Sequence, residues 1–171
     1  VIVAKLLSNL FLLVPVAYFG YLFVKGEKKR AMTLLSAYLL LSGVVLLTKF
    51  VLKVPRPEGA ETSFDPYSFP SFHTAYASLL FFFLPNVWTF LYAAIVGYLR
   101  VAAGVHTWVD VLGGFIFAWL SWILYRWGRE RVGFEWDRQA FHMGSGVFAA
   151  TAINHPWGWI ATWYVAYVDS T

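Results

Sequence analysis

His106 and Asp110 stand at spacing i, i+4. On one helical face that spacing lets a carboxylate take an imidazole N–H, which leaves the second ring nitrogen free to attack an electrophile. A second imidazole, His73, can then protonate the departing oxygen and afterwards serve as the base that activates water. Three cations, Lys49, Arg56 and Arg100, complete the set. Guanidinium groups make bidentate hydrogen bonds to phosphoryl oxygens, and an ammonium adds a point charge. Ser71 follows Pro70 and is expected to open a helix, whose free N–H groups and positive dipole end add donors for an anion. Such a set suits a phosphoryl group that becomes pentacoordinate during transfer. The cations carry charge that a metal would otherwise neutralise, so neither a metal nor another cofactor is expected.

The elements that must position these residues read as membrane spans. Of 171 residues 60% are hydrophobic and 13% charged, too little polar surface for a soluble domain. The net charge is +4, but no basic stripe with interleaved aromatics points to nucleic acid. There is no cysteine, which excludes disulfides, zinc-thiolate sites and thiol catalysis.

The apolar run Val1–Val24 is interrupted by Lys5, Ser8, Asn9 and Pro15 and stops at a basic cluster, residues 25–30. It reads as a retained span, since a signal peptide has a shorter apolar core and a small-residue cleavage site. A second span, Ala31 to Leu52, leads into a polar loop from Lys53 to Pro70. From Ser71 to Val105 one helix would run about 50 Å and overshoot the bilayer, so a hairpin is expected at Leu84-Pro85-Asn86. A fifth span fits Thr107 to Tyr125, residues 126–139 read as a loop, and residues 140–168 form a kinked or broken last span. The expected fold is an all-α polytopic helical bundle of about six transmembrane helices, one domain over residues 1–171 with its core at about 31–125.

This threading gathers Lys49, Arg56, Ser71, His73, Arg100, His106 and Asp110 on one face. The two loops on the other face hold eight of the thirteen Lys and Arg residues, which assigns that face to the cytoplasm. Alone, Lys49, Lys53 and Arg56 would pass as anchors snorkelling from a helix end. Their company decides for Lys49 and Arg56 and leaves Lys53 open. Glu58, Glu61 and Asp65 read as solvated loop acids, the nine tryptophans mostly as interfacial and packing residues, and His142 and His155 receive no role.

Lys49-x6-Arg56-Pro57, Pro70-Ser71-Phe72-His73 and Arg100-x5-His106-x3-Asp110 resemble the three-part signature of the type 2 phosphatidic acid phosphatase superfamily of membrane lipid phosphate phosphatases. The resemblance covers residues 49 to 110. It implies phosphate binding by the first and third motifs, with Ser71 and Phe72 in the cradle, a phosphohistidine at His106 held by Asp110, and His73 as acid. Two departures stand out: Phe72 where the family usually has glycine, expected to narrow or reshape the cradle, and Leu99 where it usually has serine, which removes a donor.

The resemblance further implies a lipid phosphate substrate among membrane lipids, metal-free hydrolysis and no nucleic-acid partner. Lipid A 1-phosphate, phosphatidylglycerol phosphate, undecaprenyl diphosphate and phosphatidic acid are the candidates. The short chain is similar to bacterial members of the inner membrane with an extracytoplasmic site. A phosphotransferase would use the same residues, a binding protein would dispense with the histidines, and vanadate-dependent haloperoxidases, whose anion site is similar, are soluble and longer.

The orientation is checked by single cysteines in this cysteine-free chain. Glu61→Cys should label with an impermeant reagent from outside intact cells and Lys28→Cys only after permeabilisation; the reverse pattern would turn the site towards the cytosol.

Overall fold

The computed structural model describes residues 1–60, 66–133 and 135–152. Its elements begin with α1 (Ile2–Phe11) and α2 (Leu13–Val24), which together make the first expected span. The break between them follows from Pro15, which has no N–H to give the carbonyl of Phe11 and crowds it. Tyr92 satisfies that carbonyl instead, its hydroxyl donating at 2.7 Å. In an apolar bundle a freed carbonyl needs such a partner.

α3 (Lys28–Leu52) crosses as expected and ends where Lys53 turns left-handed, φ 49°. α4 (Phe72–Phe83) and α5 (Val87–Ala102) form the predicted hairpin. Asn86 caps α5, its side chain accepting the N–H groups of Trp88 and Thr89 at 2.9 and 3.1 Å.

Beyond Tyr125 the chain departs from expectation. α6 runs from Trp108 to Val132, so residues 126–139 are not a loop. Their charges make contacts along a helix: Arg126 meets Glu130 at 3.4 Å and Arg131 lies over the Trp127 ring at 4.5 Å. Gly133, with φ +71°, ends the helix. α7 (Glu135–Ala152) begins two residues later and packs chiefly on α3. The rest of the expected last span, with Asn154, His155 and Pro156, lies outside the described residues, as do Glu61 and Asp65.

α1–α2, α3 and α6 are long and apolar enough to cross a bilayer, and the shorter apolar α4 and α5 lie among them, so the fold is an all-α membrane bundle. At one end Arg129 on α6 pairs with the buried Asp137 of α7 at 3.0 Å and also donates to Tyr125 and to Thr33 of α3. The start of α3 and the end of α6 are thereby joined, which puts both basic clusters at one end of the bundle. At the other end the twelve residues of α4 span only about 18 Å, less than a hydrocarbon core of about 30 Å. The segment entering α4 is therefore drawn down between its neighbours, with Ser68 and Ser71 buried.

Close approach makes this possible. A Cβ on Gly114 of α6 would stand 2.6 Å from the Ser71 carbonyl oxygen and 3.1 Å from the Ala75 nitrogen, backbone atoms that cannot swing aside. Gly114→Val should therefore cost about 1–3 kcal/mol of stability or more. Gly20→Ala, where the added methyl meets nothing within 4 Å, should leave the melting temperature in detergent unchanged or slightly raised. Thermal unfolding of the two variants checks both.

Candidate active site

The site is built from the end of α3, the start of α4, the end of α5 and the loop before α6. Thr107 caps α6: its hydroxyl accepts the Asp110 N–H at 3.3 Å, and the Asp110 carboxylate accepts the Thr107 N–H at 2.7 Å. His106 precedes this cap and is therefore not on the helix, as the i, i+4 reading required. The carboxylate that closes the capping box turns back far enough to lie 3.5 Å from His106 Nδ1. Asp110 also accepts from the Ser68 hydroxyl at 3.3 Å and, through its backbone carbonyl, from the Ser71 N–H at 2.9 Å.

The other ring nitrogen of His106, Nε2, lies 3.3 Å from Arg56 Nη1, which also donates to the Val105 carbonyl at 2.9 Å. A guanidinium has donors only, so Nε2 faces it as a lone pair and the imidazole proton sits on Nδ1, beside Asp110. Burial above all, then the charges of Arg100, Arg56 and Lys49, hold the His106 pKa well below its ordinary value. The imidazole is neutral, with the lone pair of Nε2 directed at a cation.

Lys49 and Arg100 are buried, at 3% and 4% exposure, so the charge of the cluster lies inside the protein. Lys49 donates to the carbonyls of Tyr67 and Ser68 at 2.7 and 3.3 Å. Arg100, in the last turn of α5, donates to the Ser8 hydroxyl at 3.1 Å. Ser71 caps α4 with its hydroxyl, which accepts from the Thr74 N–H and hydroxyl, and its own N–H is engaged by Asp110. The N–H groups of Phe72 and His73 at this helix start have no intrahelical acceptor.

Phe72, expected to narrow or reshape the cradle, turns its ring to Tyr76. The ring stacks on Tyr76 with centroids 4.4 Å apart, packed against the core. His73 is half-buried, its Nε2 2.9 Å from Asn9 Oδ1. Lys53 stays out of the cluster, exposed with its ammonium over the Phe50 ring at 5.5 Å. Glu58 is exposed, and His142 sits on α7 beside Phe141. Among the described residues no group of three or more His, Asp or Glu side chains is gathered as metal ligands.

Sequence reasoning missed Ser8, Asn9, Ser68 and Thr107. Ser8 and Asn9 gave a usable signal as adjacent polar residues within an apolar span, a pattern that marks functional or packing contacts in membranes.

Nitrogen NMR of imidazole-labelled protein tests the geometry. His106 should stay neutral with its proton on Nδ1 at pH 6, where an ordinary histidine with pKa near 6.5 is mostly protonated. Asp110→Asn, whose amide can point an N–H at the ring, should move that proton to Nε2. A charged imidazole at pH 6 in the unaltered chain would contradict the arrangement.

No curated protein and no solved structure matches the chain. A family model, that of the PAP2 superfamily, matches residues 30–133, from the start of α3 to the glycine that ends α6, and so encloses every group of the motif cluster. The chain belongs to the PAP2 superfamily, which implies a phosphatase activity.

Proposed function

We propose that the chain is a metal-independent lipid phosphate phosphatase working through a phosphohistidine. The observation that carries this reading is the buried, neutral His106, with Asp110 at Nδ1 and its Nε2 lone pair turned into the cluster of Arg56, Arg100 and Lys49. A phosphate drawn to those cations takes over the contact that Arg56 makes with Nε2. Nε2 then attacks phosphorus, the bond to the lipid oxygen breaks, and that oxygen takes a proton from His73. In the second half His73 removes a proton from water, the oxygen attacks the phosphohistidine, and inorganic phosphate leaves with His106 restored. Arg56, Arg100, Lys49 and the N–H groups of Phe72 and His73 stabilise the equatorial oxygens. The role of Ser71 is to aim those N–H groups.

A lipid substrate is favoured by the recessed site and by what lies beneath it. A cavity of about 460 Å³ is lined by Leu12, Pro15, Phe19, Leu35, Tyr38 and Tyr76 among others, and Tyr76 is one helical turn from His73. It suits an acyl or prenyl chain hanging from a phosphate in the cluster. Lipid A 1-phosphate, phosphatidylglycerol phosphate, undecaprenyl diphosphate and phosphatidic acid all present that combination. Positive charge at the opposite end of the bundle supports an extracytoplasmic site, in a bacterial inner membrane.

The test is phosphate release from this panel in detergent with EDTA present. The unaltered chain should release phosphate and be inhibited by vanadate, and His106→Ala should lose at least about a thousandfold, because no nucleophile remains. Release by His106→Ala at an undiminished rate, or loss of all activity in EDTA, would overturn the mechanism. The lipid with the highest kcat/KM names the substrate.

A further inference from the structure

α1 lies outside the stretch matched by the family model, yet two of its side chains enter the site. Ser8 is fully buried; its hydroxyl donates to the Lys5 carbonyl at 3.0 Å and accepts from Arg100 at 3.1 Å. The next residue, Asn9, turns to the neighbouring helix, where its Oδ1 lies 2.9 Å from His73 Nε2. α1 thus packs on α5 and reaches α4 through Asn9, touching one charged or titratable group on each.

The placement is fixed independently of these contacts. Two residues after Asn9, the carbonyl that Pro15 leaves without an N–H is held by Tyr92 of α5 at 2.7 Å, and the Phe11 and Tyr92 rings meet edge to face at 6.0 Å. The proline break therefore docks α1 at a set depth, one turn below which the apolar cavity begins at Leu12.

An amide oxygen is an acceptor, so a ring nitrogen 2.9 Å from it carries a proton. We propose that Asn9 is a positioning residue for the general acid: it holds a proton on Nε2 of His73 through the whole cycle and so leaves Nδ1 as the nitrogen that exchanges. In the protonated ring both nitrogens carry hydrogen. As the phosphorus–oxygen bond breaks, the Nδ1 proton passes to the leaving oxygen, and the neutral ring that remains has its lone pair on Nδ1, ready to take a proton from water. Nε2–H stays on Asn9 throughout. The arrangement parallels Asp110, which lies beside Nδ1 of His106 while Nε2 faces the cations. Ser8 does the corresponding service for the phosphate, fixing the guanidinium of Arg100.

The inference rests on the phosphatase reading, and its test separates the two. General acid help matters when the leaving group is an alkoxide, as in a lipid phosphate, and little when it is a nitrophenolate, which departs without a proton. The quantity to measure is kcat/KM, which stops at formation of the phosphohistidine. Asn9→Leu should lose about ten- to a hundredfold on an alkyl phosphate and less than about threefold on nitrophenyl phosphate, as expected for a residue acting through another. Asn9→Asp, which keeps an acceptor, should recover much of the alkyl activity. Ser8→Ala should lose equally on both substrates, because Arg100 serves the phosphate whatever leaves. Equal losses on both substrates in Asn9→Leu, or none on the alkyl ester, would overturn the assignment of Asn9 and leave the phosphatase standing. An unaltered chain that releases phosphate from neither ester would bring down both.

Discussion

Asp110 is the group on which the rest of the site depends. Its carboxylate closes the capping box that starts α6, lies beside His106 Nδ1 and accepts from Ser68, while its carbonyl holds the N–H of Ser71 at the start of α4. One buried residue thus ties together a helix start, a loop histidine and the segment that enters the facing helix. A buried carboxylate is costly unless its oxygens are fully engaged, and these contacts supply that engagement. The same carboxylate lies beside His106 Nδ1 while Arg56 faces Nε2, so the residue that satisfies a buried helix start also flanks the buried imidazole.

The second constraint is positive charge inside a membrane bundle. Lys49 and Arg100 are buried, and they are held by carbonyl and hydroxyl oxygens of the protein: Lys49 by the descending segment before α4, Arg100 by α1. The short α4 makes this arrangement possible, because it lets residues 66–71 dip between α3 and α6 where Gly114 leaves room for them. Small residues that let helices approach are the usual means of packing in lipid, where burial of apolar surface gives no advantage.

Much of this was legible in the chain itself. Apolar length gives the spans, Pro85 with Asn86 gives the hairpin, and the types and spacing of Lys49, Arg56, His73, Arg100, His106 and Asp110 point together to a phosphate, because a snorkelling anchor explains a single cation at the edge of a span but not this combination with two imidazoles and a carboxylate. What misled was local pattern. The i, i+4 spacing of His106 and Asp110 suggested one helical face, whereas the helix begins between them; the spacing works because a capping carboxylate folds back over its own N-terminus. Charge density after Tyr125 suggested a loop, whereas i, i+4 contacts keep α6 going to Val132.

The sequence by itself therefore determined the membrane bundle, the identity of the charged groups and their common face, since hydropathy and residue type are properties of the chain. Only the tertiary structure decided what each group touches. That Asn9 meets His73 and Ser8 meets Arg100 depends on the depth at which α1 docks, which is set by the proline break and the hydroxyl of Tyr92 on a distant helix. That the Phe72 ring packs against the core depends on a stacking partner one turn away. Contacts between helices are fixed by the relative rotation and depth of packed surfaces, and no single stretch of the chain encodes either.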